Sequence, residues 1–251
     1  MAVPDETILE IDQQGELLQL TLNRPHSANA LSPELTEALI QALTQTPGVR
    51  LCVIRAAGRH FCAGFDLSDL DSLSEGDLLW RFLRIETLLQ TIHHAPFAVV
   101  ALGHGQMVGA GADLFAACWR RIATADARIR MPGWNFELAL GTRRLTHLVG
   151  RDAARDLLID TRILSADESL DCGLATDIAS QQEWPGLIDE LRQRCSALSP
   201  VALQIMLELT TSDSRNDDIA AIVNSAGRPG LKDRVIAYRD RVAASAKEGK
   251  S

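Results

Sequence analysis

Aromatic residues make up only 4% of this chain of 251 residues, so it has little material for stacking bases in a nucleic-acid groove. It has no long run of Lys or Arg, and its formal net charge of −8 argues against a phosphate backbone as partner. No apolar run approaches the ~20 residues that span a bilayer, which argues against a membrane partner. The opening residues, MAVPDETILEID, carry neither a basic segment nor an apolar stretch, and we read no secretory leader in them. Cysteines are odd in number and scattered, at 52, 62, 118, 172 and 195, with no C-x-x-C pair. That spacing suits reduced thiols in the cytoplasm better than a disulfide frame or a zinc site, and no metal is expected. With 46% apolar and 23% charged residues, the chain can bury a core as one large domain or two small ones.

Alternating apolar residues at 7–11 and at Leu18, Leu20 and Leu22 predict two half-buried strands that turn at Gly15. Ser32-Pro33-Glu34 has the chemistry of a helix start: a capping hydroxyl, a proline at the first position and an acid at the positive dipole end. Leu35, Leu39 and Leu43 give that helix a buried face. Further strands are expected over 51–54, 97–102, 121–124 and 127–131, with an amphipathic helix over 77–92. The recurring strand-strand-helix order points to structural repetition. Past residue 145 the pattern is helical. Ser165-x-x-Glu168 forms a capping box, Gly173 ends that helix, Pro200 opens another, and Leu231, Val235, Tyr238 and Val242 stripe the last. We expect an α/β core over 1–190 and a helical segment over 191–251, with no Pro/Gly linker between them.

The most informative stretch is GHGQMVGAGAD, residues 103–113, set between a buried strand and a helix of small residues. Glycines permit close backbone approach and a helix N-terminus offers unpaired N–H groups, so the turn suits negative charge. Two uses fit. A dinucleotide fingerprint would place pyrophosphate there and use Asp126 on the ribose, but Val108 stands where the third glycine belongs. An oxyanion hole would pair one N–H of this turn with one from Phe61-Cys62-Ala63-Gly64-Phe65-Asp66-Leu67.

Four motifs then occur in order. They are R-P-x-x-x-N-A-L-S (24–32), G-R-x-F-C-A-G-x-D-L (58–67), G-x-x-x-G-A-G-A-D-L (105–114), and a longer G-R-x-x-A…S-A-x-E-S-L-x-x-G-L (150–174). From about residue 7 to the C-terminus the chain resembles the crotonase, or enoyl-CoA hydratase/isomerase, family. The resemblance implies an α/β fold of spiralling β-β-α turns with a helical C-terminal segment for trimerisation and completion of the CoA site. It implies an acyl-CoA thioester as substrate and a homotrimer or hexamer as assembly. No cofactor is implied beyond the coenzyme A carried by the substrate.

By motif, the resemblance makes the N–H groups of Phe65 and Ala110 the oxyanion donors, with Ala63, Gly64, Asp66 and Gly109 shaping the two turns. The 24–30 loop, through Arg24, Ala28 and Ala30, matches the family's CoA-contacting segment. Tyr238, on the last helix, matches a residue that often completes the CoA site across a subunit boundary. Family hydratases use two glutamates. At the first position this chain has Asp113, and at the second, after Met131-Pro132, it has Gly133. Hydration needs both a base and an acid, so isomerase, decarboxylase or hydrolase chemistry fits as well as hydration. Glu137, in a shortened loop beside Trp134 and Asn135, is the remaining carboxylate available for proton transfer. A bland alternative stands for each: Asp113 as a helix-start acid, Glu137 as a solvent-facing turn, His60 and His104 as structural histidines. At the level of the molecule, the alternative is an acyl-CoA-binding protein with little chemistry.

Overall fold

Leucine-rich strands β1 (Leu9–Gln14) and β2 (Leu17–Leu22) form an antiparallel hairpin at the edge of a six-stranded sheet. β2 then pairs in parallel with β3 (Leu51–Ala56), followed by β4 (Ala98–Gly103), β6 (Arg120–Ala123) and β9 (Asp177–Ile178). The computed structural model describes residues 7–248, with side chains described through 244. Among the described residues no helix is long and apolar enough to cross a membrane.

The period-two pattern divides the sheet's side chains between two layers. Leu18, Leu20, Leu22, Cys52, Ile54, Val99 and Ala101 face the larger core. That core is closed by α1 (Pro33–Thr44), α2 (Glu75–His93) and α3 (Ala110–Ala117). Leu17, Leu51, Val53, Val100, Leu102 and Ile122 face the other way. They pack under Trp184, Ile188 and Leu191 of α7 (Trp184–Ser196) and Leu203 and Leu207 of α8 (Pro200–Thr210). A second small sheet joins β5 (Gln106–Val108), β7 (Arg128–Arg130) and β8 (Leu164–Ser165). Bridges Leu31–Phe65 and Cys62–Met107 bring the loops after β2, β3 and β4 into this second layer. This is the repeated β-β-α architecture expected from the sequence.

Three differences have physical causes. β5 was expected as part of a continuous glycine turn; Met107 is fully buried and pairs with Ile129, which makes three residues a strand. α2 begins at Glu75 rather than 77, because Ser74 and Asp77 close a reciprocal capping box. Helix α7 runs through residue 190, where the sequence suggested the core ends, so its buried face belongs to the core. Elsewhere the expected signals operate as read. The Ser32 side chain accepts the Leu35 N–H, and Ser165 and Glu168 cap α6 (Ala166–Asp171) reciprocally.

Helices α4 (Thr142–Val149) and α5 (Arg151–Asp160) follow a loop over 131–141. The last two, α9 (Arg215–Ala226) and α10 (Leu231–Glu248), fold back onto α2. Ile222, Ala226, Leu231 and Val235 there join Leu70, Leu78, Phe82 and Leu138 in a third apolar cluster. That cluster forms one wall of the cavity described next.

Candidate active site

The loop over 24–30 is the foundation of the site. Ala28 and Asn29 both adopt left-handed backbone, at φ 48° and 54°, a conformation that asparagine tolerates better than most residues. The Asn29 side chain is fully buried and satisfied. Its Oδ1 accepts the Arg24 N–H at 2.8 Å, and its Nδ2 donates to Ala57 O at 2.9 Å and His60 O at 2.8 Å. Sequence reasoning passed over Asn29, although it stands in the first motif. Arg24 pairs with Asp66 at 2.8 Å and donates to Ala30 O at 2.6 Å, so it braces the next turn instead of reaching into the cavity. Burial pushes the Asp66 carboxyl up, but the Ser68 bonds and the Arg24 guanidinium outweigh it and hold the group below the usual carboxylate range. Asp66 is thus a buried, ionised brace.

The N–H groups of two turns can be followed one by one. Phe61 donates to His104 O, Cys62 to Gln106 O, Ala63 to Ala28 O and Gly64 to the Cys62 sulfur; Phe65 donates to no group among the described residues. In the other turn Val108 donates to Cys62 O and Gly109 to Arg130 O, whereas Ala110 is the first residue of α3, where helix geometry leaves its N–H unpaired. The two free donors are neighbours. A Cβ on Gly64 (φ +89°) would lie 2.4 Å from Val108 O and 3.1 Å from Ala110 N, so glycine is required for the turns to meet.

Both turns open into a cavity of about 780 Å³. Ala63, Phe65, Gly109, Ala110, Asp113, Trp134 and Tyr238 line it, while Arg24, Ala28, Ala30, Gly64 and Asp66 stand behind the wall as supports. One side is apolar, with Phe82 between Phe65 (4.5 Å) and Phe136 (6.5 Å) and Tyr238 against Phe136 at 5.1 Å. Arg81 stacks on the outer face of Phe65 at 4.4 Å and pairs with Asp69. Tyr238, which the resemblance assigns to the CoA site, lines this cavity within its own chain.

Asp113 is 5% exposed and is the one carboxylate among the cavity's lining residues. Burial raises its carboxyl to about 7, against the pull of Arg144 and with a smaller push from Glu86. A Cβ on Gly141 (φ +65°) would fall 1.8 Å from the Asp113 Oδ1, so the 131–141 loop passes flush against the carboxylate. Behind it lies a buried ionic cluster. Arg144 on α4 donates to both oxygens of Glu86 on α2, and to Asp218 on α9 at 3.4 Å. Gln90 donates to Glu86 and Ser214 to Asp218, while the buried Arg144 Nε–H has no partner among the described residues. Sequence reasoning had no signal for this cluster, since single charges on amphipathic helices read as solvated.

Glu137, the other carboxylate expected to carry a proton, is not among the residues that line the cavity. Its left-handed backbone (φ 61°) closes the turn over 133–136 and sends the side chain away from the cavity, to Arg228 at 3.0 Å and Arg234 at 3.8 Å. Trp134 does reach the cavity, anchored by its Nε1–H to Thr142. His60 accepts the Gln106 N–H at its Nδ1, and burial with nearby Arg59 and His104 lowers its proton affinity. His104 donates from Nε2 to Gly58 O at 3.0 Å. Each ring thus holds one backbone group, and the buried His104 Nδ1 has no partner among the described residues. Asp126 accepts a hydrogen bond from Thr124 Oγ1 at 2.5 Å and is not among the residues that line the cavity, so the geometry does not bring the ribose acid of the dinucleotide reading to this site. No group of three metal-ligating side chains comes together among the described residues.

Over residues 12–225 the chain matches the family model described as enoyl-CoA hydratase/isomerase. It is 30% identical over 214 residues, 78% of each chain, to enoyl-CoA isomerase/hydratase fer4 of Mycosarcoma maydis. It is 29% identical over 216 residues to the peroxisomal Delta(3,5)-Delta(2,4)-dienoyl-CoA isomerase of Arabidopsis thaliana, covering 78% of this chain and 77% of that one. Among solved structures, one from Bordetella parapertussis assigned to the enoyl-CoA hydratases/isomerases superposes with a TM-score of 0.91. It is 43% identical and covers 92% of this chain and 98% of its own.

Proposed function

Because the chain belongs to the crotonase, or enoyl-CoA hydratase/isomerase, family, we propose that it shifts the double bond of an enoyl-CoA thioester, with Asp113 as the sole proton carrier. The observation that carries this reading is one buried carboxylate, poised near neutrality, beside two unpaired N–H groups. The thioester oxygen sits between the Phe65 and Ala110 N–H groups. Ionised Asp113 removes a proton from Cα of a 3-enoyl thioester, and the electron pair moves onto that oxygen as a dienolate. The two N–H groups then share the negative charge that develops on that oxygen, an effect of roughly 3–4 kcal/mol per donor. The carboxylic acid so formed returns its proton to Cγ, leaving the 2-enoyl product and a regenerated base. No water, metal or redox partner enters the balance.

Hydration asks for a second group to activate water. Position 133 follows Pro132 at the cavity wall and is glycine, and Glu137 is committed to two arginines. That arrangement favours a one-carboxylate shuttle over hydration. The family's trimeric or hexameric assembly, and a role in it for the segment over 191–251, belong to the same proposal, as does a reducing, cytoplasmic setting for the buried thiols.

The test is turnover of a 3-enoyl-CoA, followed by absorbance of the conjugated product, for the wild type and for Asp113→Asn. Loss of about 10²–10⁴-fold in kcat with KM little changed is the expected result for removal of the proton carrier. Equal turnover by Asp113→Asn removes Asp113 from the chemistry. Acyl-CoA binding without turnover of any thioester in the wild type favours a binding protein instead.

A further inference from the structure

Many arginines of this chain close onto a carboxylate: Arg24 on Asp66, Arg81 on Asp69, Arg144 on Glu86, Arg239 on Asp71. Arg128 and Arg130 do not. They are the two outward residues of β7, both line the cavity, and neither has an acidic partner among the described residues. Arg130 is half-buried and fixed by its Nε–H, which donates to Thr161 O at 2.9 Å, so its terminal nitrogens remain unspent. Arg128 spends one nitrogen on the carbonyl of its neighbour Ala127. Arg128 is exposed and Arg130 half-buried, so it is Arg130 that gives up part of its solvation at the cavity wall, a cost an anion meeting it there would offset.

Two anions belong to an acyl-CoA: a phosphate of the coenzyme, or a carboxylate at the far end of the acyl group. The register decides between them. The Gly109 N–H donates to the backbone carbonyl of Arg130, so the main chain of this residue is held one residue from the Ala110 donor, and its guanidinium, fixed at Thr161 O, lies no farther from there than its own side chain reaches. The phosphates lie the whole length of the pantetheine arm from the thioester, whereas the acyl tail begins at it. Guanidinium groups also match carboxylates in planar, two-point geometry.

We infer that the acyl group of the substrate ends in a carboxylate, which Arg130 binds with Arg128 beside it: the protein acts on the monothioester of a dicarboxylic acid. This rests on the reading of the cavity as an acyl-CoA site, though not on the isomerase step.

The experiment is calorimetric binding of two saturated thioesters of equal length, adipyl-CoA and hexanoyl-CoA, with free CoA as the third ligand. Neither thioester carries a double bond, so binding is read whether or not Asp113 catalyses anything. The wild type is expected to bind adipyl-CoA about tenfold or more tightly than hexanoyl-CoA, the scale of a hydrogen bond to a charged group. Arg130→Met should abolish that preference while leaving hexanoyl-CoA affinity within about twofold, and Arg128→Met should reduce it in part. A wild type with no preference, or one favouring hexanoyl-CoA, overturns the inference without any variant. So does an Arg130→Met protein that loses affinity for both thioesters and for free CoA alike, which would place the arginine on a phosphate. Failure of all three ligands to bind the wild type would strike the acyl-CoA reading itself. Retained preference with no turnover of a 3-enoyl thioester would strike only the isomerase step.

Discussion

Burial lifts the Asp113 carboxyl to about 7, and both rate and stability then depend on pH with a definite sign. In the proposed isomerisation the base works ionised, so kcat/KM should fall tenfold per pH unit below about 7 and level off above it. For stability the folded state holds its proton more tightly than the unfolded chain does. That contribution is favourable to folding at low pH and is progressively lost as pH rises from the unfolded value near 4 through about 7. Asp113→Asn removes the charge, so it should raise the melting temperature at pH 8 by several degrees, with the gain shrinking toward pH 4. A variant equally stabilised at both values would mean that its effect is packing and not charge. Gly141 makes the complementary point. Its φ of +65° and the 1.8 Å approach of a built Cβ to the Asp113 Oδ1 leave no room for a methyl group. Gly141→Ala should displace the carboxylate and lower kcat by at least about 100-fold, with far-UV circular dichroism unchanged. Unimpaired turnover would show that the carboxylate tolerates being moved.

Elements were legible where local chemistry decides them. Ser32 and the Ser165–Glu168 box are caps because their side chains meet backbone N–H groups three residues on, and sequence spacing shows that directly. β5 was hidden because three residues cannot display a period, and its strand character comes from pairing with β7. The Glu86–Arg144–Asp218 cluster was hidden for a different reason. Each charge looks solvated on its own helix, and only the meeting of α2, α4 and α9 buries it. Glu137 was legible as an acid in the right loop, but a single left-handed residue turns it outward. Asn29 shows the loop-level consequence. Asn29→Ala deletes three buried hydrogen bonds at a left-handed position, and should cost about 2–4 kcal/mol in urea unfolding. It should also depress kcat, because Ala63 N–H hangs on Ala28 O in the same loop. By contrast Ser32→Ala removes one cap bond and should cost about 1 kcal/mol. Equal costs for the two would deny the loop its role as foundation of the Phe65 turn.

For the molecule as a whole, the open question in the sequence was where the last helix goes. The stripe Leu231, Val235, Tyr238 and Val242 announces a buried face, yet a stripe does not say which cavity it covers. In the structure Leu231 and Val235 close against Leu70, Leu78 and Phe82 of the same chain, and Tyr238 rests on Phe136 of the same cavity. Within one chain, therefore, Asp113 and Tyr238 line the same cavity. Pairing two defective chains distinguishes this from a helix that serves a neighbour. Asp113→Asn lacks the proposed proton carrier, and Tyr238→Ala loses a cavity wall and should lower kcat/KM about tenfold. If sites are built within chains, subunits of the two variants co-expressed and co-purified should show only the sum of their separate activities, since no site gains both wild-type residues. If the helix crosses to a neighbour, some mixed sites pair a wild-type Asp113 with a wild-type Tyr238, and activity would climb above the Tyr238→Ala level. The apolar cluster that holds α10 down contains eight buried residues from α2, α9, α10 and their flanking loops. Swapping the helix between chains would require all of those contacts to be re-formed in the partner, and for that reason we expect the simple sum.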